Sequence, residues 1–244
     1  MQWGKRLGFL LPSANSVLER DTRLALPQGV SGHFARMKLT RDSPDQISGL
    51  IDHVPTAAGE VADAGVDVIG FACTTGSLDG GLGYDRKIVD IITSTTGVPA
   101  TTTSSAVVQA LRELGITNPL LVSPYEDWLN AKVVRFLGDS GFGVAAVVGL
   151  GLPEPRDLEA VTPEQIVELT RKADRADADG VFISCTGFRG LEAADALERE
   201  LGKPVVASNQ ATIWAMLAMV GVDDRVVGFG GLLSRPRLSA GAGA

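Results

Sequence analysis

Apolar residues fall along this chain in two alternating patterns. Short continuous apolar runs occupy 7–11, 68–72, 120–122 and 180–183, each closed by a small or turn-forming residue. Between them lie longer stretches with helical spacing. The first half reads as strands at 6–11, 32–38, 66–72 and 98–102 and helices at 15–25, 44–64, 85–95 and 104–114. The second half repeats the alternation from Pro119, with helices at 126–139, 163–176, 190–201 and 208–220. Ala64-Gly65 is a helix stop. Apolar strands that alternate with helices imply parallel sheets covered on both faces. With right-handed crossovers, this predicts an α/β fold of doubly wound parallel-sheet lobes.

The halves match each other in order. Pro12 and Pro124, each ending an apolar run, are 112 residues apart, and so are Cys73 and Cys185. Gly97-Val98-Pro99 and Gly202-Lys203-Pro204 each lead into a small-polar helix start, Ser104-Ser105-Ala106 and Asn209-Gln210-Ala211, at an offset of 105. The expected organisation is a first α/β repeat at 1–115, a second at 116–232 and a mobile Gly/Ala-rich tail at 233–244. A pseudo-twofold axis relating the lobes would put a site in the cleft between them.

Composition narrows the partners. A net charge of −7 argues against nucleic acid and anionic membrane, which demand a basic face. The longest apolar stretch, 213–222, is about half a membrane span. The run after Arg6 is too short for a signal-peptide core, which predicts a cytoplasmic protein with reduced thiols. A homodimer is the default assembly. Two cysteines and two histidines make neither a disulfide framework nor a zinc site, so no metal is expected. His33, in a strand, and His53, in a helix, read as structural or surface residues.

The chemistry concentrates at strand ends, where open parallel sheets bind ligands. Cys73 and Cys185 sit at two such ends. Each could be a small buried hydrophobe; together they could flank one bound molecule. The turns Cys73-Thr74-Thr75-Gly76-Ser77 and Cys185-Thr186-Gly187 offer hydroxyls and backbone N–H groups to a carboxylate, or simply cap the next helices. The same donors are expected to lower a thiol pKa from about 8.5 toward about 7. Asn15 either caps a helix or holds a substrate carboxylate. Tyr125 either donates to an oxyanion or packs between the lobes.

These pieces, with residues 12–19, 72–77, 123–125 and 184–186, resemble the aspartate/glutamate racemase superfamily, within it the maleate cis-trans isomerase and arylmalonate decarboxylase group. The resemblance implies that Cys73 adds to a double-bond carbon of maleate while Cys185 exchanges a proton at the neighbouring carbon, with Asn15 and Tyr125 on carboxylates. It implies no cofactor, in keeping with a chain lacking a Rossmann glycine fingerprint. The chain departs from the group in two places. Leu152-Pro153-Glu154-Pro155-Arg156 stands where the isomerases carry an asparagine ligand; Glu154 would repel a dicarboxylate and Arg156 could compensate. The second cysteine loop continues Gly187-Phe188-Arg189, where Phe188 could line an apolar subsite and Arg189 could pair with a carboxylate. Alternatives are a two-base amino-acid or hydantoin racemase, an arylmalonate-type decarboxylase, and a small-molecule binding protein without catalysis.

Overall fold

The computed structural model describes residues 4–152 and 154–235. The first half runs β1 (Lys5–Pro12), α1 (Val17–Ala25), β2 (Val30–Met37), α2 (Pro44–Ala62), β3 (Val68–Phe71), α3 (Thr74–Leu78), α4 (Tyr84–Thr96), β4 (Ala100–Thr102) and α5 (Thr103–Glu113). The second runs β5 (Pro119–Ser123), α6 (Asp127–Asp139), β6 (Ala146–Gly149), α7 (Pro155–Ala160), α8 (Pro163–Ala173), β7 (Gly180–Ile183), α9 (Gly190–Leu201), β8 (Val205–Ala207), α10 (Ser208–Met219) and α11 (Gly231–Ser234).

The strands form two four-stranded parallel sheets of identical order, β2-β1-β3-β4 and β6-β5-β7-β8. The α/β class and the two-lobed architecture therefore match the sequence reading. The central strands are buried throughout because helices cover both faces; β3 reads Val-Ile-Gly-Phe and β7 Gly-Val-Phe-Ile. In this strand order the connection reverses direction between β1 and β3, and again between β5 and β7. Crevices beyond the carboxyl ends of those pairs are where such sheets bind ligands.

The lobes are packed through α5 and α10. α5 lies against α10, and α10 also crosses β3 and β4 of the first lobe. Gly70 in β3 permits this approach: a Cβ there would stand 2.5 Å from Met216 Sδ. One continuous apolar cluster spans both lobes, with a smaller one confined to the second. Among the described residues, no helix is long and apolar enough to cross a membrane.

Three short helices were not expected. α3, α7 and α11 carry no helical hydrophobic period of their own and exist through tertiary contacts. Helix 163–176 ends early, at Ala173, because Asp174 turns to an extended conformation. Of the expected mobile tail at 233–244, Leu233 is fully buried and belongs to α11, and residues from 236 lie outside the described residues.

Candidate active site

Asn15 and Cys73 follow the carboxyl ends of β1 and β3, and Tyr125 and Cys185 follow those of β5 and β7, each by two or three residues. All four line one cavity between the lobes, which encloses about 470 Å³ when the space of its open mouth is included. Thr74, Thr75, Thr186 and Gly187 line it too, so the structure brings all eight expected site residues together. His33 and His53 are elsewhere, on β2 and α2.

The two cysteine loops are held differently. Cys73 stands at the N-cap of α3, where its sulfur accepts from the Gly76 N–H at 3.4 Å and lies 3.7 Å from the Thr75 hydroxyl. Cys185 has φ of 112°, the one positive φ at a non-glycine among the described residues. Its N–H donates to Ser208 Oγ (3.1 Å), and its sulfur accepts from the Gly187 N–H (3.3 Å). Ser208 Oγ also accepts from Thr74 Oγ1 (3.0 Å), so one hydroxyl at the start of α10 ties both cysteine turns together.

Hydrogen-bond accounting separates the candidate donors. Thr74 gives its proton to Ser208, and Thr186 gives its own to the Ala72 carbonyl at 3.3 Å. Both hydroxyls fasten lobe to lobe, so neither has a proton left for a ligand. Asn15 does two jobs: Oδ1 accepts from the Val17 and Leu18 N–H groups (3.0 and 3.1 Å), and Nδ2 donates to Thr186 Oγ1 (3.0 Å). Its cap role is thus observed, and one amide N–H stays over. Tyr125 is buried, its phenol facing Cys185 and Ser184, although Ser184 Oγ has no partner within hydrogen-bonding geometry. Asn130 Nδ2 donates to the Tyr125 carbonyl (3.1 Å) and steadies that loop. Gly149 makes room, since a Cβ there would come within 2.6 Å of the same carbonyl.

The thiols overturn one expectation. Burial pushes Cys73 up to about 12, and the Gly76 N–H and Thr75 hydroxyl recover only part of that; Asp42 and Asp79 add to the rise. Burial pushes Cys185 higher still, with Asp42 adding and Tyr125 opposing. Loss of water outweighs a few neutral donors when no cation is near. Among the described residues, no Lys, Arg or His lines the cavity.

Some flanking residues stand elsewhere than expected. Phe188 is buried in the second-lobe core, where no apolar subsite is available to it. Arg189 pairs with Glu192 at 2.8 Å. Glu154 is exposed and pairs with Arg41 at 3.0 Å, outside the cavity. Arg156 lines an adjoining surface depression.

Sequence reasoning missed Leu39, Asp42, Leu158 and Glu159, which close the cavity from the β2–α2 loop and from α7. The signal available was position alone, because the loop after β2 also leaves the carboxyl edge of the sheet. It missed Ser208 as well, which directly follows β8.

Residues 7–233 match the family model described as arylmalonate decarboxylase. The arylmalonate decarboxylase of Bordetella bronchiseptica is 29% identical over 235 residues, covering 94% of this chain and 93% of that protein. A cysteine-to-alanine mutant of the maleate isomerase of Pseudomonas putida S16, solved with maleate, superposes with a TM-score of 0.91 at 26% identity, covering 94% and 97% of the two chains. A cysteine-to-serine mutant of the Nocardia farcinica maleate cis-trans isomerase, solved with a covalently bound succinylcysteine intermediate, gives 0.90 at 25% identity, covering 94% and 98%.

Proposed function

Given that the chain belongs to the arylmalonate decarboxylase family, within the aspartate/glutamate racemase superfamily, we propose that it is a cofactor-independent isomerase of a small unsaturated carboxylic acid. Maleate to fumarate is the first reaction to test. The observation that carries this reading is the pair of cysteines at equivalent strand ends on one cavity. A one-thiol decarboxylation gives no work to Cys73.

In the reacting state Cys73 is a thiolate and Cys185 a thiol. The Cys73 sulfur bonds to one alkene carbon, and the π pair takes the Cys185 proton at the neighbouring carbon, leaving Cys185 as thiolate. The former double bond is now single and rotates. Cys185 recovers the proton, the C–S bond breaks and the trans acid leaves. Asn15 Nδ2 and, while Cys185 keeps its proton, the Tyr125 hydroxyl hold carboxylate, and the Thr75 hydroxyl supports the Cys73 thiolate. The succinylcysteine in the Nocardia relative supports the addition step.

The test is NMR of maleate with the wild-type protein, Cys73→Ala and Cys185→Ser. Each variant should lose at least about a hundredfold in turnover. Cys185→Ser should gain the mass of one substrate on Cys73. Deuterium entering a carbon alpha to a carbonyl without cis-trans exchange would replace this reading with a two-base racemase. Loss of CO2 from substituted malonates, kept in Cys73→Ala, would replace it with a decarboxylase.

A further inference from the structure

The cavity carries carboxylates of its own. The carboxylates that line it are Asp42 and Glu159, and no described cation lines it to offset them. Arg41, beside Asp42 in sequence, pairs with Glu154. Arg20 and Arg189 border the adjoining depression and both bind Glu192. Arg156 borders the same depression, which shares Ser16, Val17 and Glu159 with the cavity. Glu159 is itself engaged by the Ser16 hydroxyl.

Asp42 is the exception. Its half-buried carboxyl receives no hydrogen bond and no ion pair from any described residue. Its charge is felt at Cys73, Cys185 and Tyr125, the groups at the reacting centre. The groups with a proton to spare are the Asn15 amide and, while Cys185 is a thiol, the Tyr125 hydroxyl; the Thr75 hydroxyl faces the Cys73 sulfur. The same cavity therefore presents neutral donors and a carboxylate that no described residue pairs.

We propose that Asp42 selects a short acid bearing one carboxylate and, at its far end, an N–H donor, amide or ammonium. This rests on the reading of the cavity as a small-carboxylate site and narrows it. For a four-carbon alkene it favours the half-amide of the cis diacid over the diacid. An N–H group pairs with the free Asp42 oxygen, whereas a second carboxylate meets a like charge. The diacid enters well only when Asp42 is protonated. Burial and, secondarily, Glu126 raise Asp42 to about 6, so that state is populated in mild acid.

Binding of unreactive saturated probes tests this separately from turnover. Calorimetry at pH 8 compares succinamate, 4-aminobutyrate and succinate on the wild-type protein and on Asp42→Asn. At least one nitrogen-bearing probe should bind roughly tenfold or more tighter than succinate. Asp42→Asn should shrink that preference to within about threefold, and succinate should tighten on the wild-type protein at pH 5. The amide and ammonium arms tell the two nitrogen donors apart. Succinate binding as tightly as both nitrogen probes at pH 8, an unchanged preference in Asp42→Asn, or no binding of any probe would each overturn the proposal. Failure of isomerisation with the probe preference intact would overturn only the reaction assigned above.

Discussion

Asn15 of the first lobe donates from Nδ2 to Thr186 Oγ1 of the second at 3.0 Å, while its Oδ1 accepts from two N–H groups at the start of α1. The two halves of one amide thus serve helix and cleft separately, and substitution can part them. Asn15→Asp keeps the cap oxygen and suits the helix dipole. It removes the donor and adds a negative charge to a cavity that already has Asp42. Folding stability should stay within about 0.5 kcal/mol while KM for a carboxylate rises at least about tenfold. Asn15→Ala should in addition lose roughly 1 kcal/mol of stability. Chemical denaturation beside steady-state kinetics separates these effects; equal kinetics in Asn15→Asp would remove Asn15 from the site.

The buried thiols set the pH dependence of turnover. Cys73 lies near 12 and Cys185 above its ordinary value, so at pH 7 the free protein holds both as thiols. The reacting state has one proton fewer. For a raised acid, the reactive fraction grows with pH, about tenfold per unit well below the pKa. The rate on a monocarboxylate should therefore climb through pH 7 to 9 without a plateau. Alkylation of the free protein at pH 7 should be slow for the same reason, so slow labelling does not speak against catalysis. A pH-independent rate between 6 and 9 would contradict the assigned protonation states.

The long periodic segments were legible because one face of each is buried: helix 85–95 was found as Tyr84–Thr96, and helix 190–201 without error. The strand-end cysteines were legible because the duplication marked them as equivalent. α3 was not, since Thr-Thr-Gly-Ser-Leu has no helical pattern and is fixed by the Cys73 cap and by burial of all five residues. Asp42 and Leu158 were invisible because their approach to Cys73 is a tertiary fact. The thiol pKa was misjudged because neutral donors can be read from a motif, whereas the depth of burial cannot.

Cys185 occupies a backbone region that side chains seldom adopt, and the Ser208 hydroxyl on its N–H helps to keep it there. Such a residue costs about 1–3 kcal/mol. Cys185→Ala keeps the Cβ and hence the strain; Cys185→Gly removes it. Glycine should be the more stable of the two variants by roughly 1 kcal/mol, against the usual advantage of alanine of about 0.5–1 kcal/mol. Urea unfolding of the pair decides the matter, and an alanine variant equal to or above the glycine variant would mean an unstrained loop.

Asp21 makes the sharpest statement about stability. It is fully buried, and its Oδ2 accepts from Asn209 Nδ2 at 2.7 Å. Asn209 Nδ2 also donates to the Thr186 carbonyl at 3.0 Å, beside Cys185. Asp21 Oδ1 and Asn209 Oδ1 are both left without partners. Burial raises Asp21 to about 7; Glu192 adds to this, while the Asn209 bond, Arg20 and Arg189 oppose it. The native state thus keeps a proton that the unfolded chain releases near 3.8. Between those values the native state binds more protons, so stability falls as pH rises, by up to ~1.4 kcal/mol per unit. Asp42, near 6, acts in the same direction, whereas Glu192, near 2, opposes only below about 4.5. Asp21→Asn takes away the titrating group and gives an amide N–H that can meet the orphaned Asn209 Oδ1. Urea midpoints at pH 5 and pH 8 should therefore lie closer together in Asp21→Asn than in the wild-type protein, with the variant the more stable at pH 8. An undiminished gap would mean that Asp21 is ionised in the folded protein at both values, with its charge satisfied by Arg20 and Arg189.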